Sequence, residues 1–280
     1  MDSSAFINRL QLNRRLLPFA AIAGDDLFQA VRHWALLLWV AAAVASAGYL
    51  FFRAAGASAP PSTVHVAAYP SPYLAHQPIA PLARVEPRAS ELVGDALRVH
   101  LLSLAALVVA LAAGAVPAES EYLPDSVLCR GVSRLQYLFA KSLSRALVVA
   151  AAFLATTVPV LLAAAFRLEN DLSFRGAASA LLDASLALAG LAALAVALGA
   201  WFRNPLPAVA IVAAVVYASG AAAAAMDLQA FSPLSFVDSL SQRLLEHPTE
   251  EAAPRLVSAL WIAAAFANLA GAVGLTFRNA

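Results

Sequence analysis

The chain has 280 residues, 62% of them apolar and only 12% charged, with a formal net charge of +1. Soluble domains run nearer half apolar and a quarter charged, so this composition excludes an ordinary water-soluble globule, and it offers no basic surface for nucleic acid. The apolar excess falls in runs of about 20 residues, the length that crosses a hydrocarbon core of roughly 30 Å, which predicts an all-α integral membrane protein.

Residues 1–33 read as an amphipathic arm. Arg9, Arg14 and Arg15 alternate with Ile7, Leu10, Leu16 and Leu17 until Pro18. A second stretch from Gly24-Asp25 sets Leu27, Val31, Trp34 and Leu38 at helical spacing. This is an interfacial helix bending into the first span, or else a solvated leader. Asp25 and Asp26 stand before the first apolar run, and no small-residue cleavage site follows it, which predicts a retained first span.

Residues 34–280 form a single transmembrane domain in this reading, with six spans at about 34–52, 100–117, 146–166, 178–201, 206–226 and 255–275. Between the first two lies a proline-rich loop, 53–98, carrying Pro60, Pro61, Pro70, Pro72, Pro78, Pro81 and Pro87. Prolines at that density forbid a long helix and favour extended structure. The loop is a cap or partner surface on the outer side, or a partly disordered connector. The third span contains Thr156, Thr157 and Pro159; the proline frees the carbonyl of Ala155 and predicts a kink that the threonine hydroxyls could partly compensate. In residues 227–254, Ser235 and Asp238 suit the start of a short helix, with Phe236, Val237, Leu240 and Leu244 on one face. Such a helix would lie on the outer leaflet or dip into it.

The polar island 119–145 separates the second and third spans. Asp125, after Pro124, can cap a short turn through Val127, Leu128 and Cys129, and Gly131 suits the left-handed position that ends one. Ser133 can cap a second helix that begins at Arg134 and runs on into the apolar segment from Ala146.

The chain shows no catalytic, cofactor or metal constellation. Its one lysine, Lys141, follows Ala140, so no Gly-Lys-Ser or Gly-Lys-Thr phosphate loop exists. His33, His65, His76, His100 and His247 are scattered without metal-ligand spacing, and Cys129 is the single cysteine. Asp183 is the one carboxylate inside a predicted span, close to its outer end, where an ion-coupling role competes with exposure at headgroup level. Asn268 and the Thr156-Thr157 pair read as ties between helices or polar groups on a pathway. With both termini inside, the basic residues divide ten inside to eight outside, a small positive-inside excess.

This order of parts resembles the permease subunits of type-2 ABC exporters. Those are six-span proteins with an interfacial N-terminal helix, a coupling helix between spans two and three, and an outer surface or re-entrant helix before span six. In that family the second span ends in an acidic residue; a Leu-rich segment, Pro-Val-Ser-Arg and a lysine about seven residues on then precede a long third span. Here Glu119 and Glu121 hold the acidic place, Leu128 lies in the Leu-rich segment, Val132-Ser133-Arg134 match Val-Ser-Arg, and Lys141 follows seven residues later. Gly131 replaces the proline, and Asp125-Ser126 stands where Gly-Thr is common. The Arg203-Asn204 turn resembles the family's short link between spans four and five.

The resemblance implies an N-in, C-in transport subunit in the cell membrane, of the kind found in bacterial cytoplasmic membranes. No catalytic or cofactor site of its own is implied: ATP and Mg would sit on a separate ABC ATP-binding subunit present in two copies. A second permease copy would complete a homodimer, and an extracytoplasmic partner could meet the proline-rich loop. Residues 127–134 would fit a groove of the ATPase, with Arg130 and Arg134 either pairing with acidic groups there or serving as ordinary membrane anchors. The alternatives are a self-sufficient carrier or channel using Asp183 or the Thr156-Thr157 kink, and a non-transporting anchor or assembly factor displaying the proline-rich loop.

Overall fold

A computed structural model describes residues 19–57, 88–116, 132–168, 171–202, 204–226, 232–244 and 252–278. Regular structure among them is entirely helical: α1 (residues 19–32), α2 (Trp34–Ala57), α3 (Ala89–Ala113), α4 (Arg134–Arg167), α5 (Phe174–Gly199), α6 (Pro205–Ala225), α7 (Pro233–Arg243) and α8 (Ala252–Arg278). Five of these, α2 to α6, are long and apolar enough to cross a bilayer; in α8 the apolar stretch Val257–Val273 is shorter. The molecule is a multi-pass membrane protein.

Local chemistry explains most of the boundaries. His33 interrupts the chain between α1 and α2, and its Nδ1 accepts from the Ala35 amide at 3.3 Å, capping α2. The start of α4 is a capping box: the Gln136 amide donates to Ser133 Oγ at 3.2 Å and the Ser133 amide to Gln136 Oε1 at 3.1 Å. The predicted helix beginning at Arg134 is therefore found, and it continues for 34 residues through Pro159. Asn204 caps α6 by accepting from the Leu206 amide, with Pro205 in the first turn.

Two predicted boundaries are corrected. The helix that carries the second predicted span begins well before His100. It starts at Ala89, so residues 89–98 leave the predicted loop and His100 lies in mid-helix. The charges there, Glu91, Asp95 and Arg98, recur on one exposed stripe while Leu92, Val93, Ala96 and Leu97 are buried. Such a stripe lowers the average hydropathy of a helix without breaking its period. The start of α3 is also capped from afar, since the Asp171 carboxylate accepts from the Ser90 amide at 2.9 Å and the Ser90 hydroxyl at 2.5 Å. The second correction is that α7 begins at Pro233 after Ser232, two residues before the predicted cap. Ser235 instead donates to the Ser232 carbonyl, and Asp238 pairs with Arg98 at 3.2 Å. The face carrying Phe236, Val237, Leu240 and Leu244 is buried against α3, α5 and α8 rather than laid on lipid.

Helix α5 is the hub, packed against α3, α4 and α8. Small residues make this possible. A Cβ on Gly199 would overlap the Ala113 carbonyl oxygen, and one on Gly271 of α8 would sit 3.0 Å from the Ala197 oxygen. The contacts define two ends of the bundle. Ala113, Ser133, Gly199 and Gly271 mark one; Ser90, Asp171, Ser173 and α7 mark the other. Helices α2 and α6 are peripheral, and Leu206, Val215 and Tyr217 of α6 point away from the protein.

Candidate functional site

The most concentrated chemistry lies at the Ser133 end. Lys141, two turns into α4, is buried with its Nζ 3.1 Å from Asp26 Oδ1 of α1 and 3.3 Å from the Ala115 carbonyl just past α3. Arg145 grips the same carboxylate with two bonds, Nη2 to Oδ1 at 2.8 Å and Nε to Oδ2 at 3.1 Å. The Ser144 hydroxyl donates to Asp26 Oδ2 as well. Both Asp26 and Lys141 are only 2% exposed. Burial alone pushes the Asp26 carboxyl up, but the charges of Lys141 and Arg145, with the hydrogen bonds from Ser144 and Arg145, outweigh it and hold the group below its ordinary value. Tyr137 is buried beside Lys141, 5.6 Å from ring centroid to Nζ, and Phe19 of α1 meets Phe139 of α4 with centroids 6.3 Å apart.

Three elements thus converge at one point: α1, the end of α3, and the first turns of α4. The spacing of Lys141, Ser144 and Arg145 puts all three on one face of α4. Helix α1 turns Asp26 and Ala30 inward and leaves Leu27, Phe28 and Val31 exposed, as is Trp34 at the start of α2, the inverse of a soluble amphipathic helix. The predicted stripe of Leu27, Val31, Trp34 and Leu38 is accordingly an outward one.

Of the residues singled out for coupling, Glu119, Glu121, Asp125, Val127, Leu128, Cys129, Arg130 and Gly131 lie outside the described residues, as do most of the proline-rich loop and the ends of the 227–254 segment. Val132 is buried, Ser133 caps α4 and Arg134 is half-buried in its first turn. Lys141 belongs to the buried cluster and presents no surface to a docking subunit. Sequence reasoning missed Asp26, Ser144 and Arg145. The available signal was the Lys141, Ser144, Arg145 spacing together with the adjacent acidic pair Asp25-Asp26 just before the first apolar run.

The polar residues inside the spans act mainly between helices. Ser142 donates to Asn268 Oδ1 at 3.0 Å, and Asn268 Nδ2 to the Ala264 carbonyl at 2.8 Å, tying α4 to α8. Thr156 bonds the carbonyls of Ala152 and Phe153 on its own helix, which leaves the expected compensation at Ala155 unmade by that hydroxyl. Thr157 stands 3.4 Å from His100 Nδ1. His100 Nε2 is 3.2 Å from the Ala43 carbonyl and 3.2 Å from Ser46 Oγ. Because a carbonyl only accepts, Nε2 carries the proton toward Ala43, and in the neutral ring Nδ1 can then accept from Thr157. Asp183 is paired with Arg243 of α7 at 2.6 Å, which ties α5 to α7 at the Asp171 end.

No protein-family model matches the chain, and no curated protein or solved structure matches it either. Among the described residues no group of three or more histidine, cysteine or acidic side chains is placed to hold a metal ion.

Proposed function

We propose that this chain is the membrane-spanning permease subunit of an ATP-driven exporter of the type-2 ABC class. In this reading α8 completes a set of six spans, the Ser133 end faces the cytoplasm of a bacterial cell, and both termini lie on that side. Two copies pair, and two separate ATP-binding subunits dock at residues 127–134 of the coupling region 119–141. This chain supplies no catalytic group; ATP and Mg belong to the partner.

One observation carries the reading. The polar segment opens directly into the capped start of α4, and the first turns of α4 are bonded through Lys141 and Arg145 to α1 and through Lys141 to the end of α3. A push received between α3 and α4 would reach three elements at once. The pairing of Asp183 with Arg243 favours this reading over a self-sufficient carrier, because the one carboxylate predicted within a span is occupied by a structural partner.

The test is co-expression with candidate ATP-binding subunits, followed by purification and measurement of ATPase stimulation and vesicle transport. An ATPase should co-purify, and Arg134→Glu should uncouple its hydrolysis from transport. Recovery of full transport by the isolated chain without nucleotide, or by the Arg134→Glu complex, would sink the proposal.

A further inference from the structure

Helix α2 touches the bundle along one narrow stripe. Leu36, Trp39, Ala43 and Ala47 are buried, whereas Leu37, Leu38, Val44, Tyr49 and Phe52 are exposed. Lipid tails are as apolar as those side chains, so apolar contact alone gives α2 little preference for protein over lipid. Packing is also incomplete beneath the elbow between α1 and α2. There Ala30 and Leu36 face Leu104, Val108 and Val149 across a small crevice of about 20 Å³ that Arg145 also lines.

The specific attachments are polar, and they form a ladder along the two helices. On the lowest rung, Asp26 takes Lys141, Ser144 and Arg145 of α4. On the next, Trp39 Nε1 donates to Ser103 Oγ of α3 at 3.0 Å. On the third, His100 of α3 meets the Ala43 carbonyl and Ser46. Every described hydrogen bond between α1 or α2 and the rest of the bundle runs to α3 or α4.

We propose that α1 and α2 form one docking unit, seated on α3 and α4 by this ladder rather than by apolar packing, and that Asp26 is the positioning residue that locks the seat. The lowest rung behaves as a lock because its charges compensate one another only at contact distance. Buried ions separated from their partners are costly, so intermediate displacements are disfavoured and the unit is either seated or released. The upper rungs are neutral hydrogen bonds and set register. Such a seat would hold this chain's helices together whether or not an ATPase docks on it.

Cross-linking of the purified full chain tests it. In a Cys129→Ser background, Phe19→Cys with Phe139→Cys reports the α1–α4 contact through a short bismaleimide linker. Gly190→Cys with Leu260→Cys reports the α5–α8 core, where a Cβ on Gly190 lies 3.4 Å from the Leu260 Cβ. The lock is removed without stranding a charge by the triple change Asp26→Leu, Lys141→Met, Arg145→Met. The expected result is at least a fivefold loss of the 19–139 cross-link with the 190–260 cross-link unchanged. If both persist, apolar packing holds the unit and the proposal fails. If both are lost together, the cluster supports the whole fold rather than the seat, and the proposal fails equally.

Discussion

Gly176 of α5 lies backbone to backbone against Arg243 at the end of α7, so closely that a Cβ would overlap the Arg243 carbonyl oxygen. Beside it the Ser173 amide donates to the Leu244 carbonyl at 2.9 Å. Gly176→Ala must therefore displace backbone, not a flexible side chain. We expect a loss of about 1–3 kcal/mol, the usual cost of overpacking, read as a lower melting temperature in detergent. Faster hydrogen exchange over residues 233–243 should accompany it. Unchanged exchange there would contradict the backbone contact.

The Asp183–Arg243 pair should show the asymmetry of sheltered ions. Asp183→Asn leaves a cation facing a neutral amide, and removing one partner of a fully buried pair costs about 3–5 kcal/mol. Here the side chains keep 18% and 11% exposure, so solvent screening reduces the expected loss to about 1–3 kcal/mol. Asp183→Leu with Arg243→Met should recover most of it. Thermal unfolding of the two single variants and the double variant forms the cycle that checks this.

Asp26 makes a prediction about acid. Its carboxyl is held below the ordinary value of 3.8, so the folded state favours the ionised form more than the unfolded state does. The resulting stabilisation is fully present above the unfolded value near 3.8 and is lost as pH falls through the lowered folded value. The native protein should hold its advantage over Asp26→Asn from neutral pH down to about 4 and lose it progressively below that. Melting temperatures of the two proteins between pH 7 and pH 3 decide the matter; parallel curves throughout would contradict it.

Ser133→Ala removes one half of the capping box and should cost about 1 kcal/mol. The effect should be local, appearing as faster exchange of the amides at 135–138 with the α5 core unaffected. Gln136→Ala removes the reciprocal bond to the Ser133 amide but keeps the Ser133 hydroxyl on the Gln136 amide, and should cost less than about 1 kcal/mol. Hydrogen exchange with mass spectrometry separates the two.

What the sequence revealed followed from local physics. Hydropathy runs, the Ser133 start of α4, the Asn204 turn and the tie made by Asn268 all depend on neighbours within a few residues or on a polar side chain in an apolar run. What it concealed depends on distance along the chain. Asp26 meets Lys141 across 115 positions, and no local pattern announces that. The start of α3 was hidden for two reasons: its cap comes from Asp171, and Glu91, Asp95 and Arg98 dilute its hydropathy. Within α7 the apolar face was legible from spacing, but spacing does not say whether lipid or protein covers such a face. Arg145 passed as one more cytoplasmic charge because a positive-inside count treats every cation alike.

The length of α4 has a geometric corollary. A continuous helix of 34 residues is about 51 Å long, against a hydrocarbon core of roughly 30 Å. Its surplus length cannot all be hidden in the bilayer, and the turns carrying Arg134, Lys141 and Arg145 are the ones whose charges belong at an aqueous boundary. The helix is thus long enough to carry its Lys141 end and its Arg167 end to opposite sides of the apolar core. The clasp on Asp26 holds the first turns of that helix, before the long apolar run that begins at Ala146.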